Sequence, residues 1–151
     1  MSTLLKIFAM LGITVIAAAV GSLWPYIKMN FAGSAHYTEQ DKREYAFYPP
    51  DFLKNMPRIT ARYGFNFSNV TGPEAKVWTM NFYGTEDTSK VHTYLTSMGY
   101  GKQDRCDVEA ECWRTHDVVT VATFDTDKSV MIQVYSSPYT APHRRNNGVT
   151  T

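Results

Sequence analysis

The chain has 151 residues, 44% of them hydrophobic and 19% charged, with a formal net charge of +1 at pH 7. That near-neutral balance excludes the basic face that nucleic-acid binding needs. The 3 Trp, 10 Tyr and 8 Phe exclude a disordered stalk, and the length suits one domain with tails rather than two.

Residues 7–27 carry no charge and are bounded by Lys6 and Lys28. As a helix this run is ~31 Å long, about the thickness of a bilayer's hydrocarbon core. The rival reading is a cleaved signal peptide, with Ile7 to Ile16 as its apolar core and Ala17-Ala18-Ala19 as the cleavage site. Apolar residues resume beyond that site, however, at Leu23, Trp24, Tyr26 and Ile27. Trp24, Tyr26 and Lys28 fit interfacial anchors at the far membrane face. The expectation is a transmembrane signal-anchor over residues 1–28, in contact with the lipid bilayer through residues 7–27. Pro25 stands where the helix can end or kink. Flanking charges barely choose an orientation, because Lys and Arg are few on both sides. Ala17/Gly21 and Ala18/Ser22 are small-xxx-small pairs of the kind that pack two anchors together.

Residues 29–44 lack periodicity and read as a juxtamembrane linker, which places the folded domain at 45–139 and a flexible tail at 140–151. In the domain, PPDFLKN predicts a short helix with Pro50 in its first turn and Asp51 at its positive end. From Arg58 to Asn69 apolar and polar residues alternate, with Ile59, Ala61, Tyr63, Phe65 and Phe67 on one side. That is the period of a half-buried strand, although a helix through MPRITARYG stopped by Gly64 competes over residues 57–64. Thr71-Gly72-Pro73 is a turn, and KVWTMNFYG a second strand with Trp78, Met80 and Phe82 on one face. The early aromatics Tyr45, Phe47, Tyr48, Phe52, Tyr63, Phe65 and Phe67 read as core in preference to an interface.

Asp87 to Gly99 is the clearest helix. Asp87 or Thr88 caps it, Val91, Leu95 and Met98 share a stripe, and Gly99 ends it. CWRTH, VVTVATF and SVMIQVYSS follow as strands, the last two joined by Asp125-Thr126-Asp127-Lys128 into a hairpin. The expected class is α+β: an antiparallel sheet of about five strands, ββαβββ, covered by one main helix.

Cys106 and Cys112 close CDVEAEC, and a disulfide fits an exported domain better than a zinc site without further ligands. Such a short loop is worth roughly 2 kcal/mol by chain entropy. DRCDVEAEC places Asp104, Asp107, Glu109 and Glu111 within eight residues, broken only by Arg105; a constrained acidic protrusion can steer and grip a basic partner, and the competing reading is a solvated, disulfide-tied connection. The spacing is not that of a calcium-binding EF-hand.

Of the histidines, His36 and His143 fall in the expected tails and His92 on the solvent side of the main helix. His116 beside Asp117 is half of a possible acid/base pair, yet no nucleophile, metal or nucleotide motif accompanies it. The sequons at Asn66 and Asn69 are uninformative without a known source.

No catalytic residue, metal or cofactor is expected. The expected function is a membrane-anchored, non-catalytic protein-binding domain on the exported, periplasmic face of a bacterial inner membrane. An immunity or inhibitor-type protein that neutralises a toxin or effector has this layout. The alternative is an accessory structural subunit of an envelope, secretion or membrane-enzyme complex. An enzyme using His116 and Asp117 ranks third.

Overall fold

The computed structural model describes residues 3–139. The chain divides after Ala32 into an N-terminal helical unit and a compact unit that begins at Gly33.

The first unit is α1, Thr3–Asn30. Its 28 residues give a length of about 42 Å, and it is long and apolar enough to cross a membrane. The helix does not end at Pro25 but runs through it. The polar side chains in its apolar stretch satisfy themselves. Thr14 Oγ1 donates to Met10 O at 2.9 Å and Ser22 Oγ to Ala18 O at 2.8 Å, the bond pattern that removes a hydroxyl's need for water. Lys28 Nζ stands 5.9 Å from the centre of the Trp24 ring.

The compact unit holds β1 Ser34–Tyr37, α2 Lys42–Phe47, α3 Asp51–Lys54, β2 Tyr63–Val70 and β3 Ala75–Tyr83. It continues with α4 Ser89–Ser97, β4 Gly101–Lys102, β5 Glu111–Arg114, β6 Val118–Phe124 and β7 Ser129–Ser136. The class is α+β, as expected, but the sheet has 7 strands in the order β1-β2-β3-β7-β6-β5-β4, all neighbours antiparallel. The two strands beyond the expected five are the edges β1 and β4, with 4 and 2 residues. Segments this short carry too few alternations to show a period.

β1 lies inside the stretch expected to be a linker. Its backbone pairs with β2, and Tyr37 is 1% exposed between Tyr48 and Phe65. His36, expected in a tail, therefore stands on a sheet edge. The tail expected at 140–151, His143 included, lies outside the described residues.

Register divides the sheet into two unlike faces. One row of the first face runs Tyr37, Phe65, Met80, Ile132, Val121 and Glu111 across six strands. Tyr37, Phe65, Met80 and Ile132 are essentially fully buried, each aliphatic or aromatic side chain contributing about 1.5–3 kcal/mol by leaving water. α2 rests on this face through Tyr45 against Phe65 and Tyr48 against Phe67. α4 does so through Val91 and Leu95, both 0% exposed, and α3 joins α4 through Phe52 against Tyr94. Of the early aromatics, Tyr48, Phe65 and Phe67 are buried in the core, Tyr45, Phe52 and Tyr63 lie half-buried at its margin, and Phe47 is exposed.

Residues 58–62 are neither strand nor helix, which corrects both readings of that segment. The cause is Arg58. Its guanidinium donates to Leu53 O, Lys54 O and Met56 O, to the Tyr45 hydroxyl and to Glu39 Oε1. It also lies over the Tyr63 and Phe65 rings. A chain wrapped around this cation cannot extend until Arg62, whose carbonyl accepts the Tyr83 N–H at 3.0 Å.

α4 forms where expected, with one change at its end. The Asp87 carboxylate accepts the Ser89 N–H at 2.9 Å, leaving Thr88 without a capping bond. Gly99 adopts φ +83°, which favours glycine. Tyr100 N–H then bonds Leu95 O at 3.0 Å and Tyr100 fills the buried position, so Met98 is 50% exposed instead of part of the core stripe.

Candidate functional site

The β4–β5 connection begins as a ladder. Gly101 pairs with Arg114 and Lys102 with Trp113, and Gln103 N–H donates to Cys112 O at 2.8 Å. Cys106 and Cys112 form a disulfide with their Cα atoms 5.4 Å apart, so the intervening residues make a small closed loop. Ala110 N–H bonds back to Val108 O at 2.8 Å inside it.

The four expected carboxylates separate into two groups. Asp104, Asp107 and Glu109 are exposed on the loop, with Arg105 and Val108 beside them. Glu111 belongs to β5 and faces inward with Trp113, because residues two apart on a strand share a side. Its Oε1 accepts Lys102 Nζ at 2.8 Å. Its Oε2 stands 2.5 Å from His92 Nε2. Burial pushes the Glu111 pKa up, but Lys102 and the His92 ring outweigh it and hold the carboxyl below its usual range. The His92 ring packs on Trp113 with centroids 5.2 Å apart. His92 therefore lies on the sheet-facing flank of α4, not on its solvent side.

A cavity of about 350 Å³ opens between the loop, the start of α4 and β6. Glu86, Thr88, Glu109, Glu111 and Thr123 line it, and Glu86 meets Lys128 at 3.6 Å. Sequence reasoning missed Lys102, His92 and Glu86 as neighbours of the acidic loop. The position of Glu111 was recoverable, since Trp113 must face the core and takes Glu111 with it. The contribution of α4 was not, because it depends on how the helix crosses the sheet.

His116 and Asp117 do meet, Nε2 to Oδ2 at 3.0 Å, on the β5–β6 turn. The His116 side chain is 82% exposed, and its Nδ1 contacts Thr115 Oγ1 at 2.7 Å. A larger groove between α3 and α4 is lined by Asn55, Lys90, Thr93 and Tyr94. Its hydroxyls are already committed: Thr93 donates to Ser89 O and Tyr94 to Phe52 O. Among the described residues, no group of three or more His, Cys, Asp or Glu side chains is placed to hold a metal ion. Trp24 and Lys28 lie one helical turn apart on α1 and Tyr26 between them.

Comparison with known protein families, with characterised proteins and with solved structures finds no match to this chain.

Proposed function

We propose that the chain is a membrane-anchored, non-catalytic protein-binding protein whose compact unit lies on the exported side and captures a basic-surfaced partner through the β4–β5 loop. An immunity or inhibitor role against a toxin or effector at the periplasmic face of a bacterial inner membrane is the specific form of this reading. One observation carries it: the disulfide-closed loop presents Asp107 and Glu109 to solvent, with Asp104 exposed just before it, while Glu111 is held inward beside Lys102 and His92. A covalently closed loop has less freedom to lose on binding, and clustered carboxylates steer a cationic surface toward it.

His116 is 82% exposed and its Asp117 partner 22%. Neither residue lines the two cavities described above.

Glu111 must be spared in the test, because it belongs to the fold. An Asp104→Asn, Asp107→Asn, Glu109→Gln triple variant should keep the thermal midpoint of the wild type. It should recover the partner from solubilised membranes about tenfold less well or worse at low salt, with a smaller difference at high salt. Equal recovery at every ionic strength would remove the loop from the binding site.

A further inference from the structure

The strands are antiparallel, so their connections fall at two ends of the sheet, and the register sorts them. β2 runs into the turn at 71–74 and β3 leaves it, with Val70 paired to Ala75. β7 finishes at the same end, since Lys76 pairs with Ser136. Ser137 Oγ then donates to Pro73 O at 3.0 Å, and Tyr139 N–H donates to Ser137 Oγ at 3.3 Å. The β5–β6 turn is there too, because Arg114 pairs with Val118 and Val118 with Tyr135. The acidic β4–β5 loop belongs to the other end. Glu111 pairs with Val121, Val121 with Ile132 and Ile132 with Met80, and Met80 is ~17 Å along β3 from Ala75.

The chain enters the compact unit at the first of these ends. Ser34 opens β1 opposite Ser68, and Asn69 N–H donates to Gly33 O at 2.8 Å. Gly33 follows Ile27, the last residue of the uncharged run, by six positions. Residues 28–30 are helical and rise ~1.5 Å each, and residues 31–33 span at most ~3.5 Å each. Gly33 therefore stands no more than ~15 Å along the chain from the edge of the hydrocarbon, where the headgroup layer alone is ~5–7 Å deep. The connection is tighter than that limit: Phe31 N–H bonds Ile27 O and Ala32 N–H bonds Met29 O.

Charge divides the two ends in the same sense. Besides the acidic loop, the far end carries Glu86 and Asp87 after β3 and Asp125 and Asp127 after β6. Arg62, Arg105 and Lys128 offset part of that charge. Anionic headgroups repel an end with this balance. The entry end instead matches Glu74 and Asp117 with Lys76 and Arg114. It also leaves Val70 39% and Tyr139 73% exposed, and tyrosine is enriched where membrane meets water.

We propose that the compact unit is seated on the bilayer by this entry end, with Val70 and Tyr139 in the headgroup layer and the β4–β5 loop directed away from the membrane. Two arguments select a lipid surface as the occupant. The short connection holds this end beside the bilayer, and its balanced charge meets headgroups without repulsion. The inference rests on α1 as a membrane span and on nothing about what the loop binds. It adds a direction to the proposed function, since a partner then reaches the loop from the aqueous side.

The test places the full, isotope-labelled chain in phosphatidylcholine nanodiscs, one chain per disc, with gadolinium chelated on a fraction of the headgroups. Amide relaxation is then read by NMR. Relaxation falls with the sixth power of distance, so residues 71–74 should relax about tenfold or more faster than residues 104–109, given the ~17 Å or more between the two ends. In discs without gadolinium, nuclear Overhauser contacts are expected from the Val70 methyls and the Tyr139 ring to headgroup or glycerol protons. Adding phosphatidylglycerol should leave the pattern unchanged. Val70→Asp with Tyr139→Asp should abolish the contacts and slow relaxation at residues 71–74, with the thermal midpoint close to wild type. If that pair lowers the midpoint, the Overhauser contacts of the wild type decide. Equal relaxation at both ends, faster relaxation at the loop, or absent Overhauser contacts would each overturn the seating, and relaxation at residues 28–32 would show the anchor still in place. A chain that fails to elute with the discs would overturn the anchor and the seating together. Contacts at Val70 that need two chains per disc would give this end to a second copy instead.

Discussion

At the scale of single residues, Arg58 organises more of the domain than any other polar side chain. It ties three carbonyls from the α3 region to Glu39 and Tyr45 and covers two aromatic rings of β2. Arg58→Ala leaves those carbonyls without their donor and should cost about 2 kcal/mol in denaturant unfolding. Arg58→Lys keeps the charge but loses the planar fork, so it should recover only part of that loss. A variant as stable as wild type would show that the hub is dispensable. Burial pushes the Glu39 pKa up, but the bonds from Arg58 outweigh it and hold the carboxyl below its ordinary value. A depressed carboxylate stabilises above its unfolded pKa and loses that contribution as pH falls through the folded value. Wild type should therefore exceed Glu39→Gln in stability near pH 7, and the gap should close as pH falls below ~4.3. A gap that persists at pH 2 would assign the effect to packing instead of ionisation.

Elements respond to how much pairing they have. β3 and β7 pair on both sides along nearly all their length and β2 and β6 along about half of theirs, whereas β4 has 2 residues and depends on β5. The disulfide therefore acts at the weakest part of the sheet. Cys106→Ser with Cys112→Ser should lower global stability by roughly 2 kcal/mol or less. It should raise proteolytic cutting between residues 103 and 111 much more than anywhere in β6 or β7. Cutting that rises uniformly would mean that the bond holds the whole domain. α4 illustrates how local signals and packing share the outcome. Its start and its Val91/Leu95 stripe were legible, but the glycine turn that replaces Met98 by Tyr100 depends on what the sheet offers to bury.

At the scale of the whole molecule, α1 sets the placement of everything after it. α1 has the length and composition to cross it, and a signal sequence passes the same test. If the exported reading holds, a C-terminal fusion to a reporter that needs disulfides to fold should be active in bacteria. A fusion to a protein that fluoresces only in the cytoplasm should be dark. The intact mass should retain residues 1–28, and the chain should resist alkaline extraction from membranes. The reverse fusion pattern would place the compact unit inside, and loss of mass at Ala19 would make α1 a leader.

The amino-acid order by itself determined the apolar N-terminal helix, the α+β class, the hairpin of β6 and β7, and the pairing of Cys106 with Cys112. These rest on composition, period and short-range spacing, which act within a few residues. Tertiary structure alone decided the rest. β1 exists because Tyr37 has Tyr48 and Phe65 to pack against, and residues 58–62 bend because Arg58 gathers partners from far along the chain. Glu111 gained His92 as a neighbour because α4 brings that ring over β5. Each is a contact between distant segments, which no local pattern encodes.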